Sequence, residues 1–300
     1  MIHIIITSFR EPKSTVRAVQ AFLKQEIPGK FIITVVDPFP EVKAYLQKHI
    51  RDKRVKFFLD PGEGKSYALN LLLEQHAGDP KDIFIFSDGD VYVNENAVKA
   101  LLKPFEDSKV GCVTGRPVAL DGRATKYEYW AQVAFAGIDR TRTRLSKEKK
   151  FFECSGYLFA IRSGVLINFP LKTSEDSIIP YLFWKKGYRI VYAHDAWVYV
   201  KNPGTWRDWV AQKVRNIKAH ENLNILAPDL PRTKSLWNEI KEGALFALKQ
   251  PGNPEEFFWT LEMYLARLYI YLKAFWELKY QRKYNDGWRG EVETLTTRLD

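Results

Sequence analysis

Along the first 115 residues, short β-branched apolar runs alternate with segments whose apolar residues recur every three or four positions. The runs Ile2–Thr7, Phe31–Val36, Val55–Leu59, Ile83–Phe86 and Val110–Thr114 are nearly continuous, which predicts strands covered on both faces. Between them, Lys13–Gln25, Glu41–His49, Ser66–His76 and Asn96–Glu106 have helical spacing. Val16, Val19, Phe22 and Leu23 mark the face of the first, and Pro28-Gly29 stops it. This alternation predicts an α/β fold: a Rossmann-like, mostly parallel sheet with right-handed crossovers and helices on both faces. Such sheets bind ligands beyond the carboxyl ends of their strands. Polar residues collect there: Thr7-Ser8, Asp37, Gly62–Ser66 and Asp88–Asp90.

The middle of the chain is less regular. Lys126–Leu145 has helical spacing, Phe152–Ile161 reads as a strand, and Ser177–Lys186 reads as a helix ended by Gly187. Arg189–Tyr192 and Ala196–Val200 read as two short strands, and Trp206–Asn222 as a helix. From Glu255 to Tyr280 a stripe of Phe258, Leu261, Leu265, Leu268, Leu272 and Phe275 predicts a long amphipathic helix. Two readings of it stay open: packing on its own domain or a partner chain, or lying in a membrane interface.

Composition narrows the class. At 46% hydrophobic and 27% charged, 300 residues can bury a core, which excludes disorder. Cys112 and Cys154 form no framework or zinc pair and read as reduced thiols of a cytoplasmic protein. No uncharged run reaches the length of a spanning helix, and residues 1–6 read as a strand rather than a signal peptide. Few Met and Cys beside many Lys and Glu resemble a thermophile's composition. A net charge of +10 suits phosphorylated small molecules, anionic lipid or other polyanions. With the C-terminal stripe, it keeps a peripheral contact with the inner face of the cell membrane open.

Chemistry concentrates in a few places. Asp88-Gly89-Asp90 follows an apolar strand, so two carboxylates meet where a cleft opens, a donor pair suited to Mg²⁺ or Mn²⁺ with phosphate oxygens. Gly62-Glu63-Gly64-Lys65-Ser66 imitates a nucleoside-triphosphate loop. The first glycine of G-x-x-x-x-G-K-[ST] would be residue 59, which is Leu59, so the loop is too short. Glu175-Asp176 reads either as a general-base pair or as an acidic helix opening.

Taken in order, Thr7-Ser8-Phe9-Arg10-Glu11, Val35-Val36-Asp37, G-E-G-K-S-Y-A-L-N at 62–70, S-D-G-D at 87–90, Ser155-Gly156, Thr173–Asp176 and Gln212–Arg215 resemble the family 2 glycosyltransferases of GT-A fold. The resemblance covers about residues 2–225. It implies an inverting, metal-dependent hexosyltransferase that moves one sugar from a nucleotide-diphosphate donor, UDP-sugars before GDP-sugars, to a glycan or lipid-linked acceptor. It implies donor contacts from Thr7, Ser8, Glu11, Asp37, Lys65, Asp88 and Arg215. Asp88 and Asp90 would hold the metal, Asp176 would be the base, and Ser155, Gly156, Glu175 and Gln212 would line the acceptor or sugar side. Q-x-x-R-W of the processive subgroup is matched only in part, because Asn216 stands in the tryptophan position, which favours single transfer over polymerisation.

The resemblance also divides the chain into a 1–225 transferase domain and a 226–300 helical region. The halves 1–115 and 116–225 would serve nucleotide and acceptor. The rival readings are a P-loop-type phosphohydrolase or kinase, and a non-enzymatic membrane or polyanion-binding module. Nucleic acid is not an expected partner, and the sequence leaves the oligomeric state open.

Overall fold

The computed structural model describes residues 1–76, 79–229 and 243–280. They fall into two compact units, residues 1–118 with 143–200, and residues 119–142 with the described part of 201–280.

The first unit is built on eight strands: β1 (Ile2–Thr7), β2 (Phe31–Asp37), β3 (Val55–Leu59), β4 (Ile83–Asp88), β5 (Tyr92–Val93), β6 (Val110–Ala119), β7 (Leu158–Arg162) and β8 (Arg189–Val200). Their order in one sheet is β3-β2-β1-β4-β7-β6-β8-β5. β1 to β4 are parallel, as the strand–helix alternation requires. β7 enters antiparallel between β4 and β6, and β5 adds antiparallel to β8. The interior strands are mainly apolar: Ile4, Ile5 and Ile6 of β1 and Ile85 of β4 are buried. α1 (Pro12–Leu23) and α2 (Pro40–His49) both open on a proline, whose missing N–H costs nothing in a first turn. α3 (Lys65–Gln75), α4 (Ala97–Leu102) with a following 3₁₀ turn, and α6 (Glu175–Lys185) complete this unit, and α5 (Lys126–Lys147) runs from one unit into the other.

Three local expectations shift. β7 begins at Leu158 because residues 154–156 spend their backbone N–H groups elsewhere: Cys154 on the Asp176 carbonyl, Ser155 on Thr114 Oγ1 and Gly156 on Asp176 Oδ2. β8 is one strand of twelve residues, its polar His194-Asp195 centre facing solvent. β5 is two residues long and carries no sequence signal.

The second unit holds α7 (Trp206–Leu226) and α8 (Pro254–Lys279). Thr205 and Asn253 cap them, each side chain accepting from a backbone N–H three residues on. α8 buries Thr260, Met263, Ala266, Ile270 and Ala274. On its flank Tyr129 bonds Thr260 Oγ1 at 2.6 Å, and Trp130 donates to the Trp259 carbonyl at 2.7 Å. The buried face is therefore the one carrying smaller residues. The stripe from Phe258 to Phe275 does not pack on its own domain: all six residues are 41–70% exposed. No helix among the described residues is long and apolar enough to cross a membrane. The expected helical region's residues 230–242 and 281–300 lie outside the described residues.

Candidate active site

The site is assembled in the first unit from strand tips and two helix starts. Parallel pairing of β1 and β4 sets Thr7 opposite Asp88, and the Thr7 hydroxyl donates to Asp88 Oδ1 at 3.1 Å. Gly89 has to be glycine: a Cβ there would lie 2.9 Å from Ser8 Cβ and 3.0 Å from Thr15 Oγ1. The Asp88-Gly89-Asp90 turn is thereby pressed against the loop after β1. Asp90 is buried, whereas the Asp88 side chain is 23% exposed.

Asp37, at the tip of β2, is fully buried and organises this loop. Its Oδ2 accepts from Ser8 Oγ at 2.6 Å and from the Arg10 N–H at 3.0 Å, and its Oδ1 accepts from the Phe39 N–H at 2.8 Å. Burial pushes its carboxyl above the usual range, against the pull of those bonds. Arg10 is held at φ 57° there, a left-handed backbone unusual for a long side chain. Glu11, which precedes α1, is buried as well.

The loop after β3 turns at Gly62 and Gly64, both at positive φ, and delivers Lys65 as the first residue of α3. Lys65 Nζ lies 2.7 Å from Asp88 Oδ1 and 2.5 Å from Glu175 Oε1. Burial disfavours this ammonium, but the two carboxylates outweigh it and raise its pKa. Glu175 is held above its usual value by burial, with Asp176 and Asp88 adding to the rise and Lys65 opposing it. The same helix fastens the segment leading to α6. Ser66 Oγ donates to the Thr173 carbonyl at 3.1 Å, and the Asn70 amide pairs with both backbone groups of Phe169, at 2.8 and 3.0 Å.

α6 begins with the acidic pair Glu175-Asp176. Pro180, four residues after Asp176, has no N–H to give its carbonyl, and the Cys154 N–H takes that place at 2.9 Å. The Asp176 carboxylate accepts from the Gly156 N–H at 3.2 Å and from the Ser174 hydroxyl at 2.5 Å. A proline inside a helix thus docks the Ser155-Gly156 loop onto the candidate base. Cys112 and Cys154 are both buried thiols outside any disulfide, and burial followed by contact with Cys154 pushes the Cys112 thiol up.

Thr7, Ser8, Asp37, Lys65, Asp88, Ser155, Gly156, Glu175 and Asp176 thus belong to one hydrogen-bonded set, or to loops joined to it, in the first unit. Gln212 and Arg215 lie on α7 of the second unit, where Gln212 accepts from Lys213 Nζ at 3.0 Å. Sequence reasoning missed Asn70, Ser66 and Pro180. The motif at 62–70 did contain the signal for Asn70, a polar residue one turn beyond Lys65 and Ser66 on α3.

A hard divalent cation takes oxygen ligands, often one or two carboxylates completed by phosphate and water. Asp88 and Asp90 supply such donors, and Asp88 Oδ1 already holds one cation, the Lys65 ammonium. Among the described residues no group of three or more His, Cys, Asp or Glu side chains is placed to hold a metal ion by itself. Two carboxylates would fit a divalent cation whose remaining positions a ligand's phosphates and water complete.

An α/β sheet with carboxylates and a lysine gathered at its parallel strand tips places these residues where such sheets bind ligands. The chain belongs to the glycosyltransferase-like family 2, whose model matches residues 2–219. It is 25% identical over 241 residues to an N-acetylglucosaminyltransferase of Rhizobium meliloti (strain 1021), covering 71% of this chain and 54% of that protein. The chain thus spans about half the length of that curated relative. Among solved structures, it resembles S. aureus TarS 1–349 in complex with UDP-GlcNAc (TM-score 0.48, 16% identity, 87% of this chain and 79% of that one). It also resembles GalNAc-T7 with UDP, GalNAc and Mn²⁺ (TM-score 0.47, 16% identity, 84% and 58%).

Proposed function

We propose that the chain is an inverting glycosyltransferase that moves a single sugar from a nucleotide-diphosphate sugar to an acceptor hydroxyl. The observation that carries this reading is the Lys65 bridge, which joins the β4 tip carrying Asp88 to the start of α6 carrying Glu175-Asp176. Donor-side and acceptor-side carboxylates are thereby fixed in one cluster. Thr7, Ser8 and Glu11 border the nucleotide, and Asp37 holds the loop they stand on. Asp88 and Asp90 would hold Mg²⁺ or Mn²⁺, which when bound supplies Lewis-acid neutralisation of the leaving diphosphate. Lys65 adds a positive charge at the same end of the site.

Asp176 takes the proton of the acceptor hydroxyl as it attacks the anomeric carbon. Its carboxylate is oriented for this by Gly156 and Ser174, which leave it lone pairs to accept a third bond. Attack opposite the leaving group inverts the anomeric centre. Glu175, Ser155 and Gly156 are assigned to the sugar or acceptor side.

The curated relative's name puts N-acetylglucosamine donors first among those to screen. The test is a thermal-shift screen of UDP- and GDP-sugars with Mg²⁺ and Mn²⁺. Stabilisation by a nucleotide sugar that weakens in Asp90→Ala supports the reading. Stabilisation by ATP alone would favour a phosphohydrolase instead.

A further inference from the structure

The exposed side of α8 is more apolar than its buried side. At 100° per residue, Phe257, Phe258, Leu261, Leu265, Leu268, Tyr269, Leu272, Phe275, Trp276 and Tyr280 fall within an arc of about 140°, and each is 41–70% exposed. At roughly 100 Å² apiece they present about 1,000 Å². That exceeds the patch of a few hundred Å² a monomer ordinarily shows, and it matches the ~800 Å² each partner contributes to a stable interface.

The pattern of this face names its occupant. Phe258, Leu261, Leu265, Leu268, Leu272 and Phe275 are spaced 3, 4, 3, 4, 3, the heptad seam of paired helices. Both the spacing and the residue types read identically in either direction. A two-fold axis between residues 266 and 267 therefore sets Phe258 against Phe275 of a second copy, Leu261 against Leu272 and Leu265 against Leu268. Large residues meet large ones at the ends and leucines meet at the centre, as a self-complementary interface requires.

Charge selects the same arrangement. Along one edge of the stripe, Glu262 stands in the first half, 2.9 Å from Lys126, and Lys273 in the second, 3.9 Å from Glu277, and their side chains remain 49% and 39% exposed. Antiparallel pairing brings Glu262 of one copy within about 3 Å, measured along the axis, of Lys273 of the other. Parallel pairing would set this edge against the opposite one, which carries Phe257, Tyr264 and Tyr271 and offers no charge partner. A helix lying on anionic lipid would instead carry lysine and arginine along its polar edges, and this edge opens with Glu255 and Glu262.

We infer that α8 pairs antiparallel with the α8 of a second copy of this chain, forming a two-fold dimer. The test is sedimentation velocity of the full chain without lipid, from about 1 to 100 µM, alongside flotation with phosphatidylglycerol vesicles. The expected result is a species of two chains. Leu265→Glu, at a position 70% exposed and so outside the core, should give a single-chain species with unchanged circular dichroism. Lys273→Glu should weaken association about tenfold, and adding Glu262→Lys should restore it. A monomer throughout the range, a dimer indifferent to Leu265→Glu, or a charge swap that fails to rescue overturns the inference. A monomer that floats with the vesicles assigns the face to lipid and overturns it equally.

Discussion

Replacing Lys65 by methionine keeps the length of the side chain and removes the one charge that bridges Asp88 and Glu175. Breaking a buried pair by deleting one partner costs about 3–5 kcal/mol, because the remaining charge is stranded. Lys65 is 26% exposed, Asp88 23% and Glu175 9%, so solvent screens part of this and about 2–4 kcal/mol is expected. For a chain of this size that corresponds to a fall in Tm of roughly 3–6 °C.

The sign of the pH dependence follows from Glu175. Its carboxyl is already raised in the fold by burial, and Lys65 is what restrains the rise. A carboxyl raised on folding destabilises progressively as pH climbs from its unfolded pKa through its folded one, since the folded state then has to ionise it. Removing Lys65 enlarges that window. The deficit of Lys65→Met against wild type should be greatest at neutral pH and shrink as pH falls toward 4.5, the unfolded reference. Urea denaturation at about pH 5 and pH 8 measures both. Glu175→Gln added to Lys65→Met should recover at least ~1 kcal/mol at neutral pH, since a neutral amide needs no counter-charge. A deficit below ~1 kcal/mol, or one equal at both pH values, would refute the reasoning.

Gly89→Ala should lower stability by about 1–3 kcal/mol through overpacking against Ser8 and Thr15, read as a lower denaturation midpoint; an unshifted midpoint would show that the two loops do not meet. Asn70→Ala strands two backbone groups of Phe169, at about 1–3 kcal/mol. It should also speed proteolysis within residues 166–174, and an unchanged cleavage rate would remove Asn70 from the support of α6.

Much of this architecture could be read from residue order. Strands β1 to β4 are runs of isoleucine, valine and phenylalanine, and the residues ending them form the site, because a parallel sheet exposes only its strand tips. The position of β7 could not be read, since Leu158–Arg162 looks like any other apolar run and its place between β4 and β6 is a tertiary choice. Nor could Lys65 be assigned: as a lone lysine after a glycine loop it suits a phosphate, and only the meeting of α3, β4 and α6 shows it between two carboxylates. Asp37 is expected among the donor contacts, and its burial with three internal bonds adds a second role, organising the loop after β1. For α8, periodicity gave the stripe but not its direction. Thr260, Ala266 and Ala274 pack inward together with Met263, Ile270 and Tyr271, leaving the leucine and phenylalanine stripe outside.

The account turns on Asp176 acting as the base beside a donor held at the strand tips, and paired calorimetry and single-turnover assays of Asp176→Asn test this most directly. The account predicts that the variant binds the nucleotide sugar as tightly as wild type, while sugar transfer falls by about 10²–10⁴. Transfer at the wild-type rate, or a loss confined to donor affinity, would contradict it.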